Sequence, residues 1–267
     1  MPEGRRSGLL RAQLSARSMT LGTWIKLPSM ESVELVALAG FDFVVIDLEH
    51  SAMSTESAYR QIGVARLSGV APIVRVPQID GGLVARLLDA GAEGIMFPHV
   101  DSVADAEAAV HTVRFPPVGA RGVGPTGRAG GWGAVPRDEY LRFGQEEVFV
   151  IAQIESAAAA RDAEAIAAVP GVDALLVGAV DLAASEGRTE DDSDIRSLIA
   201  AAVTGGHRAG KPVGCSGGAT AEAVRRAVEQ GFAFALMSND ASMLGSAAAA
   251  AVAAGRGIHP IDDREAS

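Results

Sequence analysis

Cysteine is nearly missing from this chain of 267 residues: Cys215 stands alone. A single thiol closes no intrachain disulfide, so the fold is not stapled for an oxidising compartment. Lysine is almost as scarce, with only Lys26 and Lys211, and the formal net charge is −10. A surface of that sign is not built to neutralise phosphates or to settle on anionic lipid, so no nucleic acid and no membrane are expected as partners. No apolar run approaches the ~20 residues that a bilayer span needs. No charged-then-apolar leader opens the sequence, which makes the cytoplasm the expected compartment.

What is present is apolar and small. Hydrophobic residues make up 48% and charged residues 21%, an ordinary globular balance. Short apolar runs bounded by Gly, Pro and Asp read as strands over 21–26, 43–49, 72–76, 94–100, 148–155, 174–181, 211–217 and 232–239. Between them lie stretches of helical period such as "GGLVARLLDAGA" and "TAEAVRRAVEQG", most ending in Gly before the next strand. Continuous apolar strands imply a parallel sheet covered by helices. Eight βα units in about 250 residues is the arithmetic of an α/β (β/α)8 TIM barrel, although a doubly wound sheet shows a similar alternation. The barrel is expected over 21–255. Residues 1–20, with a leading helix, and the tail 256–267 read as peripheral.

The connection from Arg114 to Glu147 is the long exception among short loops. Within it, "RGVGPTGRAGGWG" places Gly122, Gly124 and Gly127 at the G-x-G-x-x-G spacing of a dinucleotide loop. That motif needs a strand before it and a helix after it, so that a helix N-terminus faces the pyrophosphate. Here "RFPPVGA" precedes it, Pro125 lies inside it, and Gly130, Gly131 and Gly133 follow. We read the match as chance. What remains is a turned segment carrying Arg121, Arg128 and Trp132, suited to cover a pocket near the barrel mouth or to meet another subunit.

A barrel collects its chemistry at the C-terminal ends of its strands. By this rule Asp47, Glu49, His50, Arg75, Gln153, Glu155, Asp181 and Asn239 share one rim. Glu155 and Asp181, each following an apolar strand on successive units, suit a hard divalent cation such as Mg²⁺ or Mn²⁺. The alternative is that each caps a helix or joins an ion pair. His50, three residues beyond Asp47, is a candidate acid/base if a carboxylate orients its ring; otherwise it is a surface histidine opening a helix. Arg75 interrupts an apolar strand and requires an anion, either an internal carboxylate or a substrate. His99 and His111 are weaker candidates, His111 reading as part of a helix. Lys211 begins its strand and belongs at the far end, so a Schiff-base mechanism would rest on Lys26 alone, and metal-assisted enolisation is the stronger proposal.

Taken together, "GTWIKLPS", "AGFDFVVIDLEHSAMS", "PIVRVP", "LLDAGAEGIMFPHVDSVADAEAAV", "RFPPVGARGVGP", "AQIES", "VDALLVGAVDLAASEG" and "GKPVG" resemble the HpcH/HpaI class II pyruvate aldolase family, in order over roughly residues 8–250. The resemblance implies a TIM barrel whose C-terminal helix is exchanged between subunits, a homo-oligomer that is usually a hexamer, and a divalent metal, Mg²⁺ or Mn²⁺ with Co²⁺ as a further candidate. The implied reaction cleaves a 4-hydroxy-2-oxoacid to pyruvate and an aldehyde through a metal-stabilised enolate. Carried over by position, Glu155 and Asp181 match the metal ligands and Gln153 a residue supporting them. Arg75 matches the arginine facing the pyruvate keto oxygen, and His50 the acid/base partnered by Asp47. Backbone around Gly178 and Val180 would hold the pyruvate carboxylate, and Ser216 would line the aldehyde pocket. Asp89 matches an acidic residue given to a neighbouring subunit's site, with Arg121 on the same interface.

The sequence departs from the family in places. "GAVDLAAS" stands where "GPADLS" is common, "GCSGG" replaces bulkier pocket residues, and "ALMSND" replaces "VAVGSD". The acidic stretch "TEDDSD" (189–194) reads as a solvated loop that would disfavour an anionic aldehyde if it overhung the mouth. Two other readings stay open: a 3-hydroxyacyl-CoA lyase of the citrate-lyase-β type, which needs basic groups for the CoA phosphates, and a barrel that binds an oxoacid without turnover.

Overall fold

The computed structural model describes residues 8–16 and 19–256; residues 1–7, 17–18 and 257–267, with the parts of the two terminal extensions that fall there, lie outside it. Eight parallel strands close into a barrel in sequence order, β1 (Thr20–Ile25), β2 (Phe43–Asp47), β3 (Ala71–Arg75), β4 (Gly94–Phe97), β5 (Phe149–Ile154), β6 (Ala174–Val177), β7 (Val213–Gly217) and β8 (Phe234–Asn239). Each is followed by a helical return. This is the (β/α)8 barrel, not the doubly wound sheet. The distinction rests on β8 pairing with β1, a contact between residues some 200 positions apart, such as Gly22 with Leu236.

Strand parity divides the core in two, because alternate side chains face opposite sides of the sheet. Val44, Ile46, Val74, Ile95, Val150 and Leu175 face the helices. Phe43, Val45, Ile73, Met96, Phe149, Ile151, Leu176, Phe234 and Leu236 fill the barrel. Glycine makes room for the large rings: a Cβ on Gly22 would sit 2.4 Å from the Phe43 ring, and one on Gly214 2.0 Å from Phe234. The same inward parity carries past the packed layers to Trp24, Asp47, Arg75, Gln153 and Ser216, and so brings polar groups to the upper end.

Many of the helices start where side-chain caps satisfy their first N–H groups: Ser54, Asp80, Ser102, Ser156, Asp192 and Thr220 each accept from the turn that follows. Several stop at a glycine in the left-handed region, among them Gly91 at φ +101° and Gly231 at φ +88°. The leading helix spans Leu9–Ala16. It is not peripheral: Leu10 is 3% exposed and joins the interior cluster, while Arg11 pairs with Asp173 at 2.8 Å and lies over the Phe149 ring. It closes the floor of the barrel.

The long connection after Arg114 contains a 3-10 segment (Arg128–Gly133) and a helix (Arg137–Glu146) that the glycine content obscured. No strand enters the G-x-G-x-x-G stretch, as expected of a chance match. Its glycines answer to packing: a Cβ on Gly127 would lie 3.0 Å from the Asp89 carbonyl, and one on Gly130 1.9 Å from that of Pro125. Arg128 donates to the carbonyls of Tyr59 and Ala90 and stacks over the Tyr59 ring. Arg121, 4% exposed, donates to Asp89 Oδ1 at 2.8 Å and lies over Phe115. A small cavity there also reaches Glu93 and Val148, the residues just before β4 and β5. Arg121, Asp89 and Arg128 therefore belong to the floor side of their own chain. This corrects the expectation that the two arginines approach its mouth.

Among the described residues no helix is long and apolar enough to cross a membrane. The last helix, Asp240–Arg256, buries only Asp240 within the chain.

Candidate active site

At the upper end of the barrel a cavity of about 340 Å³ gathers Lys26, His50, Arg75, Gln153, Gly178, Asp181 and Ser216, among others. Its base is an ion pair between strand neighbours. β2 and β3 are in register at Asp47 and Arg75, so both side chains point inward from adjacent positions. Arg75 donates through Nε to Asp47 Oδ1 at 3.0 Å and through Nη2 to Oδ2 at 2.7 Å, the planar fork matching the carboxylate. Its Nη1 lies 3.1 Å from Glu49 Oε2, and the guanidinium sits 4.2 Å above the Trp24 ring. Arg75 has thus found internal carboxylates.

Asp47 is fully buried. Burial by itself would raise its pKa, but the Arg75 fork, the His50 N–H and Lys26 together outweigh it and hold the carboxyl below the usual value. Lys26 Nζ is 3.5 Å from Asp47 Oδ2. The turn after β2 wraps this carboxylate: the backbone N–H groups of Glu49 and His50 both donate to Oδ1 at 3.1 Å. The sequence led us to expect Asp47 to orient the His50 ring. Instead Asp47 holds the backbone of His50, because its oxygens are occupied by Arg75. The carboxylate nearest the ring is Glu49, whose Oε2 is 3.8 Å from Nε2, and the imidazole stands 56% exposed at the cavity.

Across the barrel, Glu155 follows β5 and is 5% exposed. Its Oε1 accepts from Gln153 Nε2 at 2.5 Å, and its Oε2 from the His99 backbone N–H at 3.0 Å. Burial raises its pKa, and the charges of Asp181 and Glu49 add to that, against the lowering by His99. Asp181 does not end a strand: β6 stops at Val177, and Asp181 lies in the first turn of the helix Ala179–Ser185. The expected strand was too long because "GAV" continues the apolar run into the helix. Gly178 is required between them, since a Cβ there would come within 2.8 Å of Glu155 Cγ and 3.1 Å of Oε1. The N–H of Gly178 already donates to the Ile154 carbonyl. Val180, 62% exposed, and Ser216 face the same cavity; Ser216 Oγ accepts from Trp24 Nε1 at 3.0 Å.

Three residues matter more than the sequence suggested. His99 adopts φ +52°, uncommon for a non-glycine residue. Its Nδ1 lies 3.1 Å from Glu155 Oε2 and its Nε2 3.3 Å from Glu49 Oε1, bridging the two sides of the site. The rim rule applied to β4 would have promoted it. Glu49 received no role beyond the rim, yet it links Arg75, His50 and His99. Asp240, 7% exposed, accepts from the N–H groups of Lys26 and Leu27 and ties β1 to the last helix. Asn239 caps that helix through Ser242 at the cavity edge. Lys211 lies before β7 and donates to the Val172 carbonyl, away from the mouth as its position implied. His111 lies in the helix Val103–Val113. Among the described residues no group of three or more His, Cys, Asp or Glu side chains is arranged to hold a metal ion.

The arrangement of an inward arginine, a buried Glu after β5 and an Asp in the helix after β6 is carried by a sequence that matches the HpcH/HpaI aldolase/citrate lyase family over residues 20–250. The chain belongs to this family. It is 37% identical over 240 residues to 2-dehydro-3,6-dideoxy-6-sulfogluconate aldolase of Pseudomonas putida, covering 88% of this chain and 92% of that protein. It is 39% identical over 214 residues to a hydroxypyruvate/pyruvate aldolase of Paraburkholderia phytofirmans, covering 77% and 81%. The crystal structure of an HpcH/HpaI aldolase from Desulfitobacterium hafniense superposes with a TM-score of 0.89 at 32% identity, covering 96% of this chain and all of that one. This HpcH/HpaI family member is an enzyme of the aldolase type, a carbon–carbon lyase.

Proposed function

We propose that the chain cleaves a 4-hydroxy-2-oxoacid into pyruvate and an aldehyde, and joins them in reverse, with a divalent metal held by Glu155 and Asp181. The observation that carries this reading is the buried Glu155 carboxylate, which feels the charge of Asp181 and is held by Gln153, where Gln153, Asp181 and Arg75 line one cavity. A buried carboxylate with acidic neighbours calls for a cation. The donors are hard oxygens, two from protein with space for water or substrate oxygens, which fits Mg²⁺ or Mn²⁺, with Co²⁺ as a further candidate. Gln153 holds one Glu155 oxygen in place, and Gly178 leaves the space beside it. When bound, such an ion supplies Lewis acidity toward the 2-oxo group.

The remaining work belongs to the chain. Arg75 has five N–H donors, of which the Asp47 fork takes two and Glu49 faces a third through Nη1, so the guanidinium keeps two donors to aim at the oxo oxygen as its negative charge grows. The first-turn N–H groups of the helix Ala179–Ser185 lack intrahelical acceptors and suit the substrate carboxylate; that of Gly178 is already engaged. His50, exposed to the cavity, takes the proton of the 4-hydroxyl as the C3–C4 bond breaks. The electron pair passes to C3, the aldehyde departs, and reprotonation at C3 yields pyruvate. Asp47 serves this scheme by fixing Arg75 and the His50 backbone. The CoA-lyase alternative gains no support, because Arg121 and Arg128 are committed on the floor side.

We also infer a homo-oligomer in which the exposed helix Asp240–Arg256 packs on another copy, with Leu244 and Val252 outward at 64% and 51% exposure, and Asp89 and Arg121 near the contact. The test of the central reading is metal binding alongside pyruvate release. Glu155→Gln and Asp181→Asn should each lose Mn²⁺ binding by calorimetry and turnover together. Full activity of the wild type after exhaustive chelation would refute the proposal.

A further inference from the structure

Charge at the mouth bears on which aldehyde the site accepts, a question that rests on the pyruvate-aldolase reading above. Three cationic or potentially cationic residues line the cavity: Arg75, Lys26 and His50. Arg75 is clamped by Asp47 and Glu49. Lys26 lies against Asp47, and His50 against Glu49. Each therefore already faces an internal carboxylate. Farther out, Glu190 also lines the cavity, so the acidic segment 189–194 does reach the mouth. The nearby Arg188 does not offset it: its guanidinium pairs with Asp192 at 2.9 Å and Asp194 at 2.8 Å. Among the described residues Glu190 has no ion-pair partner.

The wall built from the end of β7 is neutral and roomy. Ser216 Oγ accepts the Trp24 indole N–H, which leaves its own O–H to donate into the cavity. A Cβ on Gly217 or Gly218 would meet nothing within 4 Å. A hydroxyl-bearing chain finds a donor and space there. Among the described residues that line the cavity, a terminal anion finds Glu190 and no cation that lacks an internal carboxylate against it.

We propose that Glu190 makes the enzyme selective for an uncharged, hydroxylated aldehyde and rejects aldehydes carrying a second anionic group. Like charges facing each other across a partly solvated mouth repel, and the cost falls on capture of the aldehyde more than on the bond-forming step.

The experiment compares two aldehydes matched in length, glyceraldehyde and tartronate semialdehyde, as partners for pyruvate in the metal-loaded enzyme at low salt. The expected result is a kcat/KM about tenfold or more in favour of glyceraldehyde, carried mainly by KM and narrowing as salt screens the charges. Glu190→Gln should narrow the ratio severalfold, and Glu190→Lys should narrow it further. Equal or better use of tartronate semialdehyde by the wild type, or a ratio unmoved in both variants, would overturn the proposal. Exchange of pyruvate methyl protons in D₂O without any aldehyde separates the two failures: its absence would refute the pyruvate-aldolase reading, while its presence with no discrimination would refute only the role of Glu190.

Discussion

Arg75→Lys tests the centre of the site, because it keeps the positive charge and removes the geometry. Arginine makes two bonds to Asp47 and lies over Trp24; an ammonium supplies at best one of those bonds and no stacked plane. One lost charge-assisted bond is worth ~1.5–3 kcal/mol, and the lost cation–π contact adds ~0.5–2 kcal/mol. A destabilisation of about 3 kcal/mol, at ~2–4 °C of Tm per kcal/mol for a chain of this size, lowers Tm by roughly 6–12 °C. Loss of an oriented donor at the oxo oxygen lowers kcat by ~10²–10³. Calorimetry reads the first effect and a coupled pyruvate-release assay the second. Asp47→Asn, alone and combined with Arg75→Lys, completes a cycle in which the two changes must be strongly non-additive. A wild-type Tm with wild-type turnover would refute both the fork and the role drawn from it.

Three further outcomes follow from the geometry. Gly178→Ala pushes a methyl against Glu155 Cγ and Oε1; overpacking costs ~1–3 kcal/mol, and Mn²⁺ affinity should fall more than far-UV ellipticity or Tm suggests, which unchanged affinity would contradict. His50→Ala should slow aldol cleavage with metal affinity retained, since the ring is not among the groups around Glu155; loss of metal binding would reassign His50 as a ligand. Because Asp47 is held below its ordinary pKa, its stabilising contribution is complete above about pH 4 and is lost as pH falls through the folded value. Acid denaturation monitored by circular dichroism should therefore show a shallower limb for Asp47→Asn, from a lower starting stability, and parallel limbs would remove Asp47 from the acid transition.

The chain's own pattern determined the alternation of eight parallel strands with helices and most of the rim. Apolar runs and glycine stops are local consequences of propensity and capping, and inward parity at strand ends follows from the two-residue repeat. Asp47, Arg75, Gln153 and Glu155 were legible for that reason. Closure between β1 and β8, the burial of Leu10 in the floor, and the partner each charge takes belong to tertiary structure. Nothing local in "DLEH" says that Asp47 answers to Arg75 from the next strand and leaves the His50 ring to Glu49. The positive φ of His99 and the reach of Glu190 to the mouth have no local signature either. A side chain's chemical type is written in the sequence, but the field it feels depends on neighbours brought together by barrel closure.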